Sequence, residues 1–402
     1  MAMGSLNFGL FINPMGEELG IGRSTFGWAS SVRQLSSALT SPIIGPLIDK
    51  VGARILLPVA ALIVGVAMVG ISFIDSGWQL VALFAVMGLV GMGGPGALVT
   101  SVPVVKWFRR NRAKAIAFSS LGIPIGALIF VPLTQVFIDL WGWRMAWVAL
   151  AGLGVGAIVP VALIFLRREP EDIGLLPDGD TPADLLRREE SEGKRSPEIS
   201  WTTSEAVHSV VFWKLVVVFT GVALALGTIG VHRIPAFVDR GVDPGKIAIA
   251  TAFDAVAAGA STFAMGYLAN RIPGRVLGAI GFALLSISGV ITIYANTFPL
   301  VFLSMAVFGL GIGGMMFLQN YIWAEYFGRG HLGAIRGVIM PVTLIIGAIG
   351  APAAGYVYDR SGSYDSIWWV GVAIMAGAAI LGVTIKAPTH PSEQIDKRLS
   401  HP

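Results

Sequence analysis

Apolar residues run through this chain in blocks of near-helical length, broken by short polar or charged turns. The blocks fall near Ser5–Met15, Ser24–Ile48, Ile55–Ile74, Trp78–Val99, Ala113–Ile138 and Met145–Leu166. After a polar stretch from Arg167 to Ser209 they resume near Val210–Val231, Ile247–Ala269, Val276–Ala295, Leu300–Trp323, Gly333–Tyr358 and Ile367–Ile385. An α-helix crosses the hydrocarbon core of a bilayer in roughly twenty residues. The pattern therefore predicts membrane-spanning helices, six before the polar stretch and six after it. Residues 167–209 are too short and too charged to bury a core, so they read as a linker with some amphipathic helix near Ala183–Glu192. This divides the chain into a first half (1–166), the linker (167–209), a second half (210–386) and a tail (387–402).

Composition sharpens this reading. Apolar residues make up 54% of the chain and charged residues 13%, against roughly 25% charged in a soluble domain. Mean hydropathy is +0.74. Glycine, with 51 copies, suits membrane helices because it lets backbones approach closely. With no cysteine, disulfides, thiolate metal sites and cysteine nucleophiles are excluded. No Gly-Lys-Ser/Thr phosphate loop supports ATP-driven work, and no Ser/His/Asp triad can be assembled. The expectation is neither an enzyme nor a cofactor or metal protein.

The basic residues are sorted by membrane side. If the turn Gly45–Arg54 is cytoplasmic, 21 of the 28 Lys and Arg fall on that side. Six (Arg23, Arg144, Arg233, Arg240, Lys246 and Arg360) fall opposite, and Arg33 lies inside a span. This bias predicts an inner, plasma-membrane protein with both termini cytoplasmic. It also removes nucleic acid as a partner, because the net charge of +4 reflects sorting rather than a basic face.

Gly45–Arg54 reads GPLIDKVGAR, and a degraded copy, GYLANRIPGR, occupies Gly266–Arg275. From 45 to 266 is 221 positions. Trp107-Phe108 before Ala115-Ile116 matches Tyr326-Phe327 before Ala334-Ile335 at an interval of 219. Asp139-x-x-Gly142 matches Asp359-x-x-Gly362 at 220, and Gly88–Gly94 parallels Gly309–Gly314. Four landmarks at nearly one interval predict two homologous six-helix halves. The same interval measured back from the start of the seventh span falls eight to eleven residues before Met1, so the short first span is expected to continue upstream.

The pattern Gly45-x-Leu47-x-Asp49-x-x-Gly52-x-Arg54 resembles the signature loop of the major facilitator superfamily, a large group of secondary transporters. The resemblance extends over nearly the whole chain. Further residues make it similar to the branch of oxalate–formate exchangers and monocarboxylate transporters. They are the Trp107-Phe108 turn running through Arg109, Arg110 and Arg112, the Gly142-Trp143-Arg144 turn, Pro170-Glu171-Asp172-x-Gly174-Leu175-x-Pro177-Asp178-Gly179, and Tyr358-Asp359-x-x-Gly362-x-Tyr364. The resemblance implies an all-α polytopic fold with twelve helices in two pseudo-symmetric halves. It also implies a gating role for Gly45, Asp49, Gly52 and Arg54, with Asp49 reaching the cytoplasmic start of the eleventh span. Lys50 and Arg54 are expected to meet acids or lipid phosphates. In the second copy Asn270 replaces the acid, so the latch role attaches to the first copy only.

Ionisable residues inside spans are costly and so mark function. Arg33 and Asp254 stand out. Arg33 lies twelve residues before Gly45, and Asp254 lies twelve before Gly266. Arg33 can hold an anionic group with its planar fork, and Asp254 can take up a proton; either can instead be structural, pairing locally. Polar residues on spans that the resemblance places around the cavity, namely Asn7, Asn13, Thr228, Gln319 and Asn320, are either substrate contacts or helix–helix ties. His232 and Arg233, at the outer end of the seventh span, can attract anions or sense pH, though a solvated loop is the stronger expectation for both. Gly122-x-Pro124-x-Gly126 and Gly347-x-x-Gly350-x-Pro352-x-x-Gly355 mark flexible or tightly packed points.

The expectation is a monomeric secondary transporter working by alternating access. Its partners are the lipid bilayer, a small-molecule substrate that is an organic anion such as a monocarboxylate, and protons or a counter-substrate. Substrate contacts fall to Arg33, Asn13, Gln319 and Asn320, and proton coupling to Asp254. A proton-coupled exporter of amphipathic compounds and a non-transporting membrane sensor remain open.

Overall fold

The computed structural model describes residues 7–90, 107–108, 115, 118, 122–167, 170–179, 201–269, 271–328 and 332–388. Among these residues the structure is helical throughout, with no strand. In the first half α1 spans Phe8–Leu19, α2 Arg23–Val51, α3 Ala53–Ile71, α4 Gly77–Leu89 and α5 Gly122–Phe165. A short α6 (Thr203–His208) leads into the second half. There α7 spans Val210–Gly230, α8 Arg233–Asp239, α9 Pro244–Leu268, α10 Gly274–Tyr294, α11 Phe298–Phe327, α12 Leu332–Ser361 and α13 Asp365–Thr384. Helix fills the described part of each of the twelve predicted spans, because α5 holds two of them across a break at Gly142 (φ 76°). Eight of the described helical stretches are long and apolar enough to cross a membrane.

Local chemistry sets the ends of these helices. Gln79 closes a capping box on Ser76 at the start of α4, and Glu205 does the same on Thr202 at α6. Asp243 caps α9 by accepting from the Lys246 N–H at 2.9 Å, with Pro244 in the first turn. The signature turn is tighter than its sequence suggests. Helix α2 continues through Lys50 to Val51, and Gly52 alone (φ 81°) separates it from α3. That left-handed backbone is open to glycine at little cost. Arg54 reaches the Leu163 carbonyl at 3.0 Å and so ties α3 to the end of α5.

Each half has its own core. Phe8, Phe11, Phe26, Phe84, Trp147 and Leu150 fill the first, and Phe212, Phe219, Phe282, Trp323, Phe327 and Trp368 the second. Large apolar side chains such as Val66, Phe165 and Ile380 remain exposed on the outer faces of the spans. That is stable only where the surrounding solvent is lipid. The halves meet through two equivalent helix pairs, α2 on α12 and α9 on α5, with α8 also resting on α1. The α2–α12 crossing is close. A Cβ on Gly27 would fall 2.6 Å from the Ala351 carbonyl carbon, and the Ser31 hydroxyl donates to the Ala348 carbonyl. The end of the polar stretch is helical in α6 and anchored on the second half. Trp201 is buried edge-on to Phe327, and its N–H donates to the Phe327 carbonyl at 3.0 Å.

Candidate functional site

Asp254 lies ten residues inside α9, about 15 Å from its start at 1.5 Å per residue. Its side chain is buried, and a lone carboxylate there would cost several kcal/mol. Arg233 supplies the partner: its Nη2 bonds to Oδ2 of Asp254 in a buried ion pair. Behind the pair the guanidinium lies over the Phe308 ring, 4.1 Å from its centroid, a cation–π contact strengthened by desolvation. The Arg233 Nε is buried with no hydrogen-bond partner among the described residues. One donor of this cation therefore remains for an anionic group to satisfy.

This overturns the expectation that His232 and Arg233 sit in a solvated loop. After Gly230 the chain continues through Val231 and His232, both in the right-handed helical region, into α8, whose Ile234, Pro235, Ala236 and Phe237 are all buried, and that apolar run draws both side chains inside. His232 is fully buried between the Ala351 carbonyl (Nε2, 2.8 Å) and the Tyr364 hydroxyl (Nδ1, 3.3 Å). A carbonyl only accepts, so Nε2 carries the proton and Nδ1 accepts from Tyr364. The sequence held one clue to the pair. A buried acid requires a cation, and the one on α9, Lys246, stands eight residues away in the helix's first turn.

Arg33 occupies the equivalent depth, ten residues inside α2, and is 8% exposed. Its guanidinium lies 5.9 Å from the Phe84 ring centroid. Asn7 and Thr228 act as internal ties: Asn7 donates to the Phe130 carbonyl at 3.2 Å, and Thr228 to the Ala225 carbonyl at 2.7 Å. Gln319 is half-buried on α11. The side chains of Asn320, Asp49 and Lys50, and the surroundings of Gly45, lie outside the described residues, as do Asn270 and 180–200.

Asn13 belongs to a different cluster, at the end of the bundle opposite Gly52. It donates to Asp239 at 3.0 Å and accepts from Arg23, which itself pairs with both Asp239 oxygens at 2.9 and 3.0 Å. The Tyr358 hydroxyl donates to the same carboxylate at 2.9 Å. Asp359, from the second half, accepts the N–H groups of Arg23 (2.9 Å) and Ser24 (3.1 Å) and so caps α2 of the first half. Gly22 leaves room for it, since a Cβ there would lie 2.7 Å from Asp359 Oδ2. The two halves are thus sealed together at this end.

A family model described as Major Facilitator Superfamily matches residues 1–240 and 234–400. The chain belongs to the Major Facilitator Superfamily. Relatives within it include Monocarboxylate transporter 13 of Bos taurus, 25% identical over 363 residues covering 88% of this chain and 79% of the relative. Monocarboxylate transporter 11 of Homo sapiens is 24% identical over 399 residues, covering 93% and 78%. Among solved structures, the nucleoside transporter NupG superposes with a TM-score of 0.71 at 12% identity, covering 96% of each chain. A D-xylose-proton symporter gives 0.69 at 13%, covering 97% and 98%. At these identities the two structures speak for the fold alone. As a member of the superfamily the chain is a multi-pass membrane transporter of a small molecule, not an enzyme.

Proposed function

We propose that this transporter carries a small organic anion, of the monocarboxylate class, together with protons by alternating access. It would lie in the inner or plasma membrane with both termini cytoplasmic, as the charge bias suggests. The buried Arg233–Asp254 pair is the observation that carries this reading. A proton taken up by Asp254 removes the negative charge from beside Arg233. The guanidinium then prefers a new anion to standing alone in a low-dielectric interior. The carboxylate of the substrate meets that demand, so proton and anion are bound together. Arg33 supplies a second fixed cation at the equivalent depth of the other half. Asp49 at the signature loop acts on the balance of open states rather than on the site. The names of the monocarboxylate relatives agree with this substrate class.

Labelled short-chain monocarboxylates offered to proteoliposomes, with and without an inward proton gradient, test the proposal. The native chain should accumulate the anion under the gradient. Asp254→Asn should lose gradient-driven uptake while keeping anion exchange. Arg33→Gln should abolish binding, and Arg33→Lys should restore it in part, since an ammonium lacks the bidentate fork. Gradient-driven uptake that survives in Asp254→Asn removes the carboxylate from the mechanism. The absence of any monocarboxylate flux through native protein removes the substrate class.

A further inference from the structure

Helix α11 presents two consecutive residues to the Arg233–Asp254 pair. Phe308 places its buried ring against the guanidinium. Gly309 faces Asp254: a Cβ built there would lie 2.9 Å from Asp254 Oδ1 and 2.9 Å from the Ala257 Cβ, and closer still to the Asp254 carbonyl oxygen. Contacts that short require something to move. The first half repeats the arrangement. A Cβ on Gly88 would meet the Arg33 carbonyl and lie 2.8 Å from the Ser36 Cβ. Positions 88 and 309 are separated by 221, as are 33 and 254. Each half therefore sets a glycine against the backbone of its buried charged residue.

We infer that Phe308 and Gly309 are positioning residues which fix the geometry of the Arg233–Asp254 pair. This rests on the reading of Asp254 as the proton-coupling carboxylate. The ring holds the guanidinium from behind, and the missing side chain lets the carboxylate sit against α11 within reach of it. Arg233 is the charged group acting on Asp254. On α9 itself Lys246 stands in the first turn, its Nζ 5.9 Å from the Phe298 ring centroid, and on α8 Asp239 pairs with Arg23. On α5, Asp139 accepts from Gln135 and Arg144 is held by Glu18. On α11, Glu325 accepts from the Gly274 N–H. The pH response of the site therefore reports on this one pair.

Gly313 provides an internal control. It packs the same two helices together one turn further on, where a Cβ would lie 2.7 Å from the Ser261 Cβ, but it meets Ala258 and not the acid. The experiment is the pH profile of gradient-driven monocarboxylate uptake in proteoliposomes for Gly309→Ala, Phe308→Leu, Gly313→Ala and Asp254→Asn. A carboxylate that loses its cation takes up a proton more readily. Gly309→Ala and Phe308→Leu should each raise the midpoint of the profile by about one pH unit, and Gly313→Ala should leave it unchanged. Native midpoints in Gly309→Ala and Phe308→Leu, alongside loss of uptake in Asp254→Asn, overturn the positioning role and spare the functional reading. Equal shifts in Gly309→Ala and Gly313→Ala also overturn it, since helix spacing would then be the cause. An unaltered pH profile in Asp254→Asn overturns both. If Gly309→Ala does not fold, the midpoint of Phe308→Leu decides.

Discussion

Glu18 stands at the end of α1 and is held by two donors that also stack on each other. Arg144 Nε donates to it at 2.9 Å, the Trp143 indole at 2.6 Å, and the Arg144 guanidinium stacks 4.3 Å from the Trp143 ring centroid. Arg144 also binds the Ser72 and Ile74 carbonyls, closing the end of α3. These hydrogen bonds, Arg144 foremost, push the Glu18 carboxyl below its ordinary value of 4.5. A depressed folded value means that the stabilisation is present above the ordinary range and is lost as pH falls through the folded value. Glu18→Gln should therefore lower thermal stability modestly at pH 7, by about 1 kcal/mol or less for so exposed a pair. The difference from native protein should close as the pH is lowered past the carboxylate range. A gap in melting temperature that persists at low pH would show that charge is not the cause. The second half swaps the signs of this arrangement: Arg240 binds the Thr292 and Ala295 carbonyls and faces Asp365 at 3.8 Å. Sequence alone showed Arg33 and Asp254 because a charge inside an apolar block is conspicuous. It hid the pairing of Arg233, because a basic residue just past a span looks solvated until the helical path is seen to continue into the buried α8.

Helices were legible wherever an apolar block was bounded by a cap or a glycine, and the repeat interval identified the halves before any contact was known. What the linear pattern could not carry was which glycines permit close crossing and which merely face lipid. Gly27 on α2 lies against the backbone of Ala351 and Pro352, and Gly355 on α12 lies against Ser24, at 2.5 Å from its nitrogen for an added Cβ. Gly152 and Gly156 on α5 have nothing within 4 Å. Backbone cannot rotate out of the way as a side chain can. Gly27→Ala should thus destabilise the protein by about 1–3 kcal/mol through overpacking, whereas Gly152→Ala should be neutral or slightly stabilising through its better helix propensity. Thermal unfolding of the two variants in detergent checks this, and equal melting temperatures would remove the close crossing from the account. The turn Gly45–Arg54 teaches a related lesson. Its charges suggested a loop, but helix continues to Val51 because only Gly52 needs a left-handed backbone.

At the scale of the whole molecule, a transporter that alternates must be able to open the end now sealed by Arg23, Asp239, Tyr358 and Asp359. The seal is polar and spans the two halves, so it can break into water without exposing a large apolar face. Its strength sets the ratio of closed to open forms at that end. The Asp359 cap on α2 contributes about 1 kcal/mol, and the partly buried Arg23–Asp239 pair a similar amount, of order 1 kcal/mol. Losing both, about 2 kcal/mol, changes the ratio roughly thirtyfold. The absence of native cysteine makes the change directly readable. Ser31 lies two turns deeper on α2, buried at the α2–α12 crossing, and cysteine is close to it in size. In an otherwise unaltered chain, Ser31→Cys should react slowly with a membrane-impermeant maleimide added from the sealed side. Combined with Asp359→Asn and Arg23→Ala, it should react about tenfold faster or more, approaching the thirtyfold shift in population. Asp359→Asn leaves one amide oxygen where two carboxylate oxygens each held an N–H, so that change alone should give an intermediate rate. The Asn13 contact to Asp239 should add little once Arg23 is gone, because both act on the same carboxylate. Identical labelling rates in all three backgrounds would mean that the seal does not govern closure, and that the apolar contact of α2 with α12 holds this end by itself.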